Sequence, residues 1–403
     1  MSFNISMFSG STDLDDALTF LAQTAMGLPR DCGRLTLEQA HEHCCSVEGY
    51  HQLLQTAERF QIAPETLLGR EQLDRLFRDE LLSRKALHTH AARNVYNSGK
   101  VALWQALWEP FKDKLLPNQA LLQTMEYLTS LDTSDSGCDV QTGVNWLVEQ
   151  LEAMGFAVET LTNQGHSPIL FARRAAVGMQ GHLVLYGHYD TVKPKPEAWD
   201  TDPLKLTIKD NRLYGCGIGD NKGALAIRLQ TIASMEKAPA LTWILQGEEE
   251  IASPFAHEQF PSLLQGLEAT LWLEETGYHD NDGTQRLLAR VIGNEQEGDL
   301  PPDRALWTLI ESLAQDAALW GVGYRVESRS LNKDFFQNGC PFNKQFITGA
   351  RYLAIGINDP RSGIHKPNES IPAWTIRLHQ RQLTTLFEWT SRIATGRLNE
   401  KDF

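Results

Sequence analysis

A chain of 403 residues, 42% of them apolar, is long enough for two domains or one large domain with an appendage, and it can bury a substantial core. Its net charge of −14 at pH 7 argues against a nucleic-acid partner, which would need a basic face. No apolar run approaches the roughly 18 residues of a membrane span, six cysteines stand without framework spacing, and no charged-then-apolar leader opens the chain, so the expected setting is a reduced, cytoplasmic one without a membrane partner.

Residues 1–112 read as a separate all-α unit. Leu18, Leu21, Ala22 and Ala25, then Leu53, Leu54, Ala57 and Phe60, then Leu73, Leu76, Phe77, Leu81 and Leu82 recur at helical spacing. Thr36 followed by Gln39 makes a capping box, and Pro64 suits a first helical turn. The string His41-Glu42-His43-Cys44-Cys45 invites a zinc reading, since His and Cys are preferred zinc ligands. Adjacent helix positions point in different directions, however, and no second ligand pair lies at finger spacing, so helix packing is the expected role.

Residues 113–403 form the second expected domain, and from Leu115 onward the pattern changes. A helix carrying Leu121, Leu122, Met125 and Leu128 leads into a loop rich in Ser, Asp and Gly, and a second helix over Val144–Met154 stops at Gly155. Short apolar strands then alternate with helices: Phe156–Leu161, Ile169–Ala172, Leu183–Tyr186, Leu241–Leu245, Thr270–Leu273 and Tyr352–Ile357. That alternation predicts an α/β fold, a largely parallel sheet with helices on both faces. Sites in such sheets lie at the carboxyl ends of the strands.

The chemistry-bearing residues fall where that rule puts them. The strand Leu183–Tyr186 delivers His188 and Asp190, two residues apart and so on one face, as suits a metal-ligating imidazole steered by a carboxylate. Gly215-Cys216-Gly217-Ile218-Gly219-Asp220-Asn221-Lys222-Gly223 holds an aspartate in a glycine-rich turn ahead of a helix expected near Ala224. Its spacing is not that of a phosphate loop, and an aspartate would repel phosphate. Leu241–Leu245 runs into Glu248-Glu249-Glu250, the strand from Thr270 runs into Glu274-Glu275, and the turn Ser362–Glu369 presents His365. Neighbouring carboxylates repel unless cations sit among them, so the cluster implies metal. Two histidines and three carboxylates suit a pair of divalent ions with one carboxylate bridging, and a further acid that does not ligate can take a proton from water. The reaction class supported is hydrolysis of an amide or related acyl bond.

His188-Tyr189-Asp190-Thr191-Val192, Trp199, Asp202-Pro203-Leu204, Arg212-Leu213-Tyr214-Gly215, Gly217–Gly223, the acidic triplet and His365-Lys366-Pro367-Asn368-Glu369 together resemble the M20 metallopeptidases, from about Leu115 to the C-terminus. The resemblance implies a three-layer, zinc-peptidase-like fold with a mixed, mostly parallel sheet, and two Zn2+, with Co2+ or Mn2+ accepted by the same donors. It implies that His188 binds one ion, that Asp220 bridges both, and that Asp190 orients His188. Glu249 would be the general base and Glu250 a ligand. Glu274 would complete the first ion's site, with Glu275 as the competing choice, and His365 would complete the second. Glu248 stands where the family usually has Asp, and Asp334 resembles a Thr-Asp segment near the family's site, or equally a helix-start acid.

Two departures qualify the likeness. The family's inserted lid, which dimerises and supplies substrate contacts, would have to fit into about fifteen residues from Arg286 to Pro301, too few for a domain. A lid-mediated dimer is therefore not expected. The helical N-terminal unit is the second departure, and it is expected to cover the open metal site, with His88, His90, Arg93, Asn94 and Tyr96 as contributors. The expected function is hydrolysis of a small N-acyl amino acid, dipeptide or amino-acid conjugate. Amide formation at the same metals, or a non-catalytic binding protein retaining the fold, are the alternatives.

Overall fold

A computed structural model describes residues 37–59, 65, 67–85, 119–209, 212–274, 276–280, 283–293, 300–319, 322–327 and 347–396. The first two predicted N-terminal features, the Leu18–Ala25 helix and the Thr36 cap, lie outside these residues, as do Phe60, Pro64, the run Leu87–Asn97, Glu275 and Asp334. The described residues divide into two compact units, one within 1–116, 280–285 and 314–324, the other within 117–279, 286–313 and 325–403.

In the first unit, helices α1 (Leu37–Cys45), α2 (Val47–Arg59) and α3 (Arg70–Lys85) bury Cys44, Leu53, Ala57, Leu73 and Phe77. Leu53/Ala57 and Leu73/Phe77 are each four apart, the spacing that puts side chains on one helix face.

The second unit opens with α4 (Gln119–Ser130) and α5 (Val140–Ala153) and is built on an eight-stranded sheet in the order β1-β2-β6-β3-β7-β10-β8-β9. Its strands are β1 (Ala157–Leu161), β2 (Ile169–Arg174), β3 (Gly178–His188), β6 (Ala238–Gln246), β7 (Leu271–Leu273), β8 (Gln285–Val291), β9 (Tyr324–Glu327) and β10 (Arg351–Ala354). The four central strands, β6, β3, β7 and β10, run parallel, while β1–β2, β2–β6 and β10–β8 pair antiparallel. A smaller sheet joins β4 (Thr207–Lys209), β5 (Arg212–Tyr214) and β11 (Ser370–Pro372).

The continuous apolar run Leu183–Tyr186 is fully buried, as expected of a central parallel strand covered on both faces. Val184 and Tyr186 join Ile244, Trp272 and Tyr352 in a core completed by Phe255 and Phe260 of α7 (Pro254–Leu263). Helices α6 (Lys222–Ala233) and α9 (Ala373–Ala394) also pack on β3, which alternation of side chains assigns to the opposite face. A further helix among the described residues, α8 (Arg304–Leu319), buries Leu306, Leu309, Ile310 and Leu313 at helical spacing.

Three boundaries differ from the sequence expectation for identifiable reasons. Helix α6 begins at Lys222, two residues ahead of Ala224, its first turn closed by the Leu225 N–H donating to Asn221 O at 3.0 Å. Strand β10 ends at Ala354 because the backbones of Gly356 and Gly277 touch: a Cβ on Gly356 would lie 2.1 Å from Gly277 N. Residues 285–291, read as part of a short gap, form β8 of the main sheet. Arg286 and Arg290 interrupt its apolar pattern, but Arg290 is buried, with its guanidinium over the Tyr352 ring at 5.0 Å.

One buried group makes the stability of this unit pH-dependent. His279 lies edge-on to Trp374 at 4.9 Å, its Nδ1 3.2 Å from Asn358 O, and burial holds its pKa down at about 4. The unfolded chain, with an ordinary histidine near 6.5, takes up that proton first, so stability falls as pH drops from about 6.5 towards 4. His379 is also fully buried, with neither ring nitrogen hydrogen-bonded, and is pushed down in the same direction by burial and by Arg228. The expected loss from His279 between pH 7 and pH 5 is about 2 kcal/mol, read as a fall in the urea midpoint that shrinks in His279→Gln. An unchanged pH dependence in the variant would contradict this assignment.

Candidate metal centre

Parallel register explains why distant residues meet. His188 pairs with Gln246 across β3–β6, and Leu185 pairs with Leu273 across β3–β7, so β3 and β6 end level and β7 ends three residues earlier on the same edge of the sheet. Each then presents its reactive residues within a few positions: His188 at the end of β3 and Asp190 just past it, Glu248–Glu250 after β6, Glu274 after β7.

The bend after β3 is tied on both sides. Tyr189 N–H donates to Gln246 O at 2.9 Å, its hydroxyl donates to Pro168 O at 2.6 Å, and its carbonyl accepts from the Thr133 hydroxyl at 2.7 Å. Asp190 thereby lies with Oδ1 3.3 Å from His188 Nδ1, while its Oδ2 accepts the Glu250 N–H at 2.9 Å. His188 Nδ1 also lies 3.2 Å from the Asp190 carbonyl, which leaves Nε2 as the nitrogen facing the cluster.

Asp220 sits at the centre. Its Oδ1 is 3.0 Å from His188 Nε2 and its Oδ2 is 3.6 Å from His365 Nε2, so each carboxylate oxygen faces a different imidazole. Burial pushes the Asp220 pKa up, but the two histidines outweigh it and hold the carboxyl below its ordinary range. His365 Nε2 is also 2.8 Å from Glu250 Oε2. Its pKa is raised to about 10, first by hydrogen bonding to Asp220 and then to Glu250, so a proton stands where a ligating imidazole presents its lone pair. Ligand atoms of His188, Asp220 and Glu250 all lie within 4.8 Å of one another. With metal–ligand bonds of about 2.0–2.2 Å, two donors on one ion stand roughly 3–3.5 Å apart, so the mixed N and O donors present fit divalent cations. Glu274 is not a member of that trio. It is buried directly after β7, with its N–H donating to Leu353 O at 2.8 Å and its carbonyl accepting from the Arg228 guanidinium.

The glycine-rich turn that carries Asp220 is a nest of backbone N–H groups, and the chain fills it with its own anion. Glu369 accepts from Gly217 N–H at 2.9 Å, Gly219 N–H at 2.7 Å and Asp220 N–H at 3.1 Å. That internal carboxylate is a direct reason why no phosphate is needed there. Glycine is required at 219 because a Cβ would meet Asn358 Oδ1 at 2.8 Å and Glu369 Oε1 at 3.1 Å. Asn358 in turn donates to Gly219 O at 2.9 Å. Neither Glu369 nor Asn358 was singled out for this role in the sequence, although Glu369 closes the His365-Lys366-Pro367-Asn368-Glu369 motif. Lys222 and Arg228 were missed as well. Lys222 Nζ donates to Leu131 O at 2.7 Å, and Arg228 donates to Tyr186 O at 2.8 Å, both from fully buried side chains.

The three adjacent acids divide by what they touch. Glu248 turns away from the histidines: its carboxylate accepts from Ser167 N–H at 2.8 Å and Phe255 N–H at 3.1 Å and lies 3.1 Å from His166 Nδ1. Glu250 turns towards His365. Glu249, between them, has its pKa pushed up to about 8, chiefly by burial and further by Asp220, Glu250 and Asp190, with His188 opposing. Two left-handed residues, Ala252 and Ser253, then reverse the chain into α7, which accounts for the small side chains there. Replacing Glu248 by Ala is expected to cost roughly 2–4 kcal/mol by unpairing the buried Phe255 N–H and the half-buried Ser167 N–H and to leave metal content unchanged. Glu250→Ala is expected to lower metal content. Urea unfolding beside elemental analysis of the two variants checks the division, and loss of metal from Glu248→Ala would contradict it.

His365 itself is held by a tight turn, with backbone φ 61° in the left-handed region. The turn is closed by Lys366 N–H to Gly363 O at 2.9 Å and by Ser370 N–H to Ser362 O at 2.9 Å. Arg212 braces its flank through a two-pronged contact with Asp359, at 2.7 and 2.9 Å.

A mixed sheet whose parallel strand ends gather two imidazoles around one carboxylate defines an α/β protein with a candidate divalent-metal centre. Residues 184–388 match Peptidase family M20/M25/M40, and the chain belongs to that family. It is similar to a succinyl-diaminopimelate desuccinylase of Bordetella avium, 37% identical over 111 residues that make up 26% of this chain and 28% of that protein. A probable di- and tripeptidase of Saccharomyces cerevisiae is 26% identical over 168 residues, 36% of this chain and 19% of that one. The chain thus spans about a quarter of the length of the curated relatives it matches. Among solved structures, an M20 family metallo-carboxypeptidase of Sulfolobus solfataricus superposes with a TM-score of 0.52 at 14% identity, covering 67% of this chain and 99% of that one, which establishes the shared fold. Among the described residues no helix is long and apolar enough to cross a membrane.

Proposed function

We propose that this protein hydrolyses the amide bond of a small N-acyl amino acid, dipeptide or amino-acid conjugate, using two divalent ions, zinc foremost and cobalt or manganese acceptable, held at the ends of β3, β6 and β7. The observation that carries the reading is Asp220, whose two carboxylate oxygens each face a different imidazole, as a bridging ligand requires. His188, Asp220 and Glu274 would hold one ion, and Asp220, Glu250 and His365 the other. When bound, such an ion pair polarises the scissile carbonyl and makes a water more acidic. Asp190 fixes the His188 ring through Nδ1 and, through the Glu250 N–H, sets the start of the acidic segment. Glu249 would accept the proton from the attacking water and return it to the leaving amine. A buried carboxyl with pKa raised to about 8, chiefly by burial and further by the neighbouring carboxylates, suits both halves of that task once cations neutralise part of the surrounding charge. The acids of the cluster need those cations, or protons on the histidines, to coexist at these distances.

The same reading assigns residues 1–112 to a helical domain and 113–403 to the hydrolase domain, with no nucleic-acid or membrane partner, no lid-mediated dimer and a cytoplasmic setting. The experiment is a hydrolysis screen of N-acyl amino acids and dipeptides with zinc-, cobalt- and manganese-loaded protein, repeated after chelation. Turnover that is lost with chelator and regained with metal is expected. Absence of turnover across the screen with metal bound would remove the hydrolase reading and leave a binding protein or an enzyme running the chemistry towards amide formation.

A further inference from the structure

The helical unit brings together a second set of metal-ligating side chains, apart from the strand-end cluster. His41 and Cys45 stand four residues apart on α1, so they share a face, and Asp74 reaches them from α3. One ligand atom from each lies within 4.8 Å of those of the other two. His41 Nε2 is 2.7 Å from Asp74 Oδ1, and the other oxygen, Oδ2, accepts from Arg78 Nε at 2.7 Å. Arg78 therefore orients the carboxylate and leaves one oxygen for the His41 side, the arrangement expected of an outer partner to a ligand. The His41 ring is seated against Phe77, with centroids 5.4 Å apart, which restricts its swing. Cys44 points the other way into the core, fully buried, while His41, Cys45 and Asp74 are all partly open to solvent. Adjacent positions of the His41–Cys45 string do point in different directions, as expected, but a pair four apart does not.

We propose that His41, Cys45 and Asp74 form a separate binding site for a divalent cation of zinc type that clamps α1 to α3. Imidazole nitrogen, thiolate sulfur and carboxylate oxygen are the three donor types zinc prefers, and a thiolate among them disfavours magnesium and calcium, which take oxygen. Three protein ligands leave a fourth position to water. The clamp joins residues 33 apart in sequence. Within α1, α2 and α3 it stands beside the buried Cys44, Leu53, Ala57, Leu73 and Phe77 and ties the first of these helices to the third. Binding replaces the thiol proton of Cys45 and opens the His41–Asp74 hydrogen bond by roughly half an ångström, to the spacing of two donors on one ion.

The test is cobalt loading of the full-length chain followed by near-ultraviolet absorption. The strand-end cluster presents only nitrogen and oxygen donors, so a thiolate-to-cobalt charge-transfer band reports the Cys45 site. The band is expected in wild type and in Asp220→Ala, Cys138→Ser and Cys216→Ser, absent from Cys45→Ser, and reached only at cobalt concentrations at least about tenfold higher in Asp74→Asn and His41→Ala. No band at saturating cobalt in wild type, or a band that survives Cys45→Ser, overturns the site. Alkylation of wild-type protein gives a check that needs no variant. Zinc should slow modification of Cys45 at least about tenfold, with chelator restoring the rate, and equal rates with and without zinc would refute the proposal.

Discussion

Glu249→Gln lowers turnover of the substrate found by the screen by about 10²–10⁴-fold, the range for removal of a general acid–base group, while metal content and KM stay close to wild type. The amide is nearly isosteric and uncharged, so it removes the proton acceptor without adding bulk. Contacts of 2.8–3.6 Å join His188, Asp220, Glu250 and His365 to one another, and Glu249 takes part in none of these. Its raised pKa comes chiefly from burial and from the carboxylates around it, so it answers to the charge of the cluster without belonging to the donor set. The variant separates the two roles given to the acidic triplet. A fall in kcat with metal retained places Glu249 in proton transfer, whereas a parallel loss of metal would make it a ligand and return the base role to another group. Single-turnover measurement with metal analysed in the same sample distinguishes the outcomes.

Asp220→Ala removes the only carboxylate that faces both imidazoles among the described residues, and it is expected to abolish both turnover and metal retention at the strand ends. Asp220→Asn is the informative partner. One amide oxygen remains to face a histidine, while the NH₂ presents a donor where a ligand is required, so one ion is retained and the other lost. Glu369 and Asn358 hold the turn through its backbone and are expected to keep its shape in both variants. Circular dichroism that matches wild type, with metal content reduced, is the expected pair of observations. Full metal retention in Asp220→Ala would mean that no ion is bridged there.

Much of this architecture was legible because its signals are local. The apolar run Leu183–Tyr186 announces a buried strand, and the residues just past each such run are the ones the parallel sheet brings to one edge. His188, Asp190, Asp220, the acids 248–250 and 274–275 and His365 could therefore be picked out from position, while the separate roles proposed for Glu249, Glu250 and Glu274 came from the resemblance to the M20 family. What sequence could not show is direction. Glu248, Glu249 and Glu250 are chemically identical in a string, and only the left-handed reversal at Ala252–Ser253 decides that Glu248 caps backbone N–H groups while Glu250 meets His365. Glu369 was hidden for a related reason: its partners are main-chain N–H groups about 150 residues away, which leave no side-chain pattern to read. Strand β8 was obscured by Arg290, whose charge suggests a surface but whose guanidinium lies over Tyr352. The His41, Cys45 and Asp74 grouping needs α3 folded against α1, and the spacing of α1 alone gives just two of the three donors.

The most direct test of the central claim is elemental metal analysis per chain on purified protein, made in a Cys45→Ser background so that the helical-unit site does not contribute, for the parent and for His188→Ala. About two zinc ions per chain in the parent, falling to one or fewer in His188→Ala, is the result this account predicts. No stoichiometric metal in a parent that was purified without chelator and offered zinc, cobalt and manganese would contradict it, and the strand-end cluster would then be held together by protonated histidines alone.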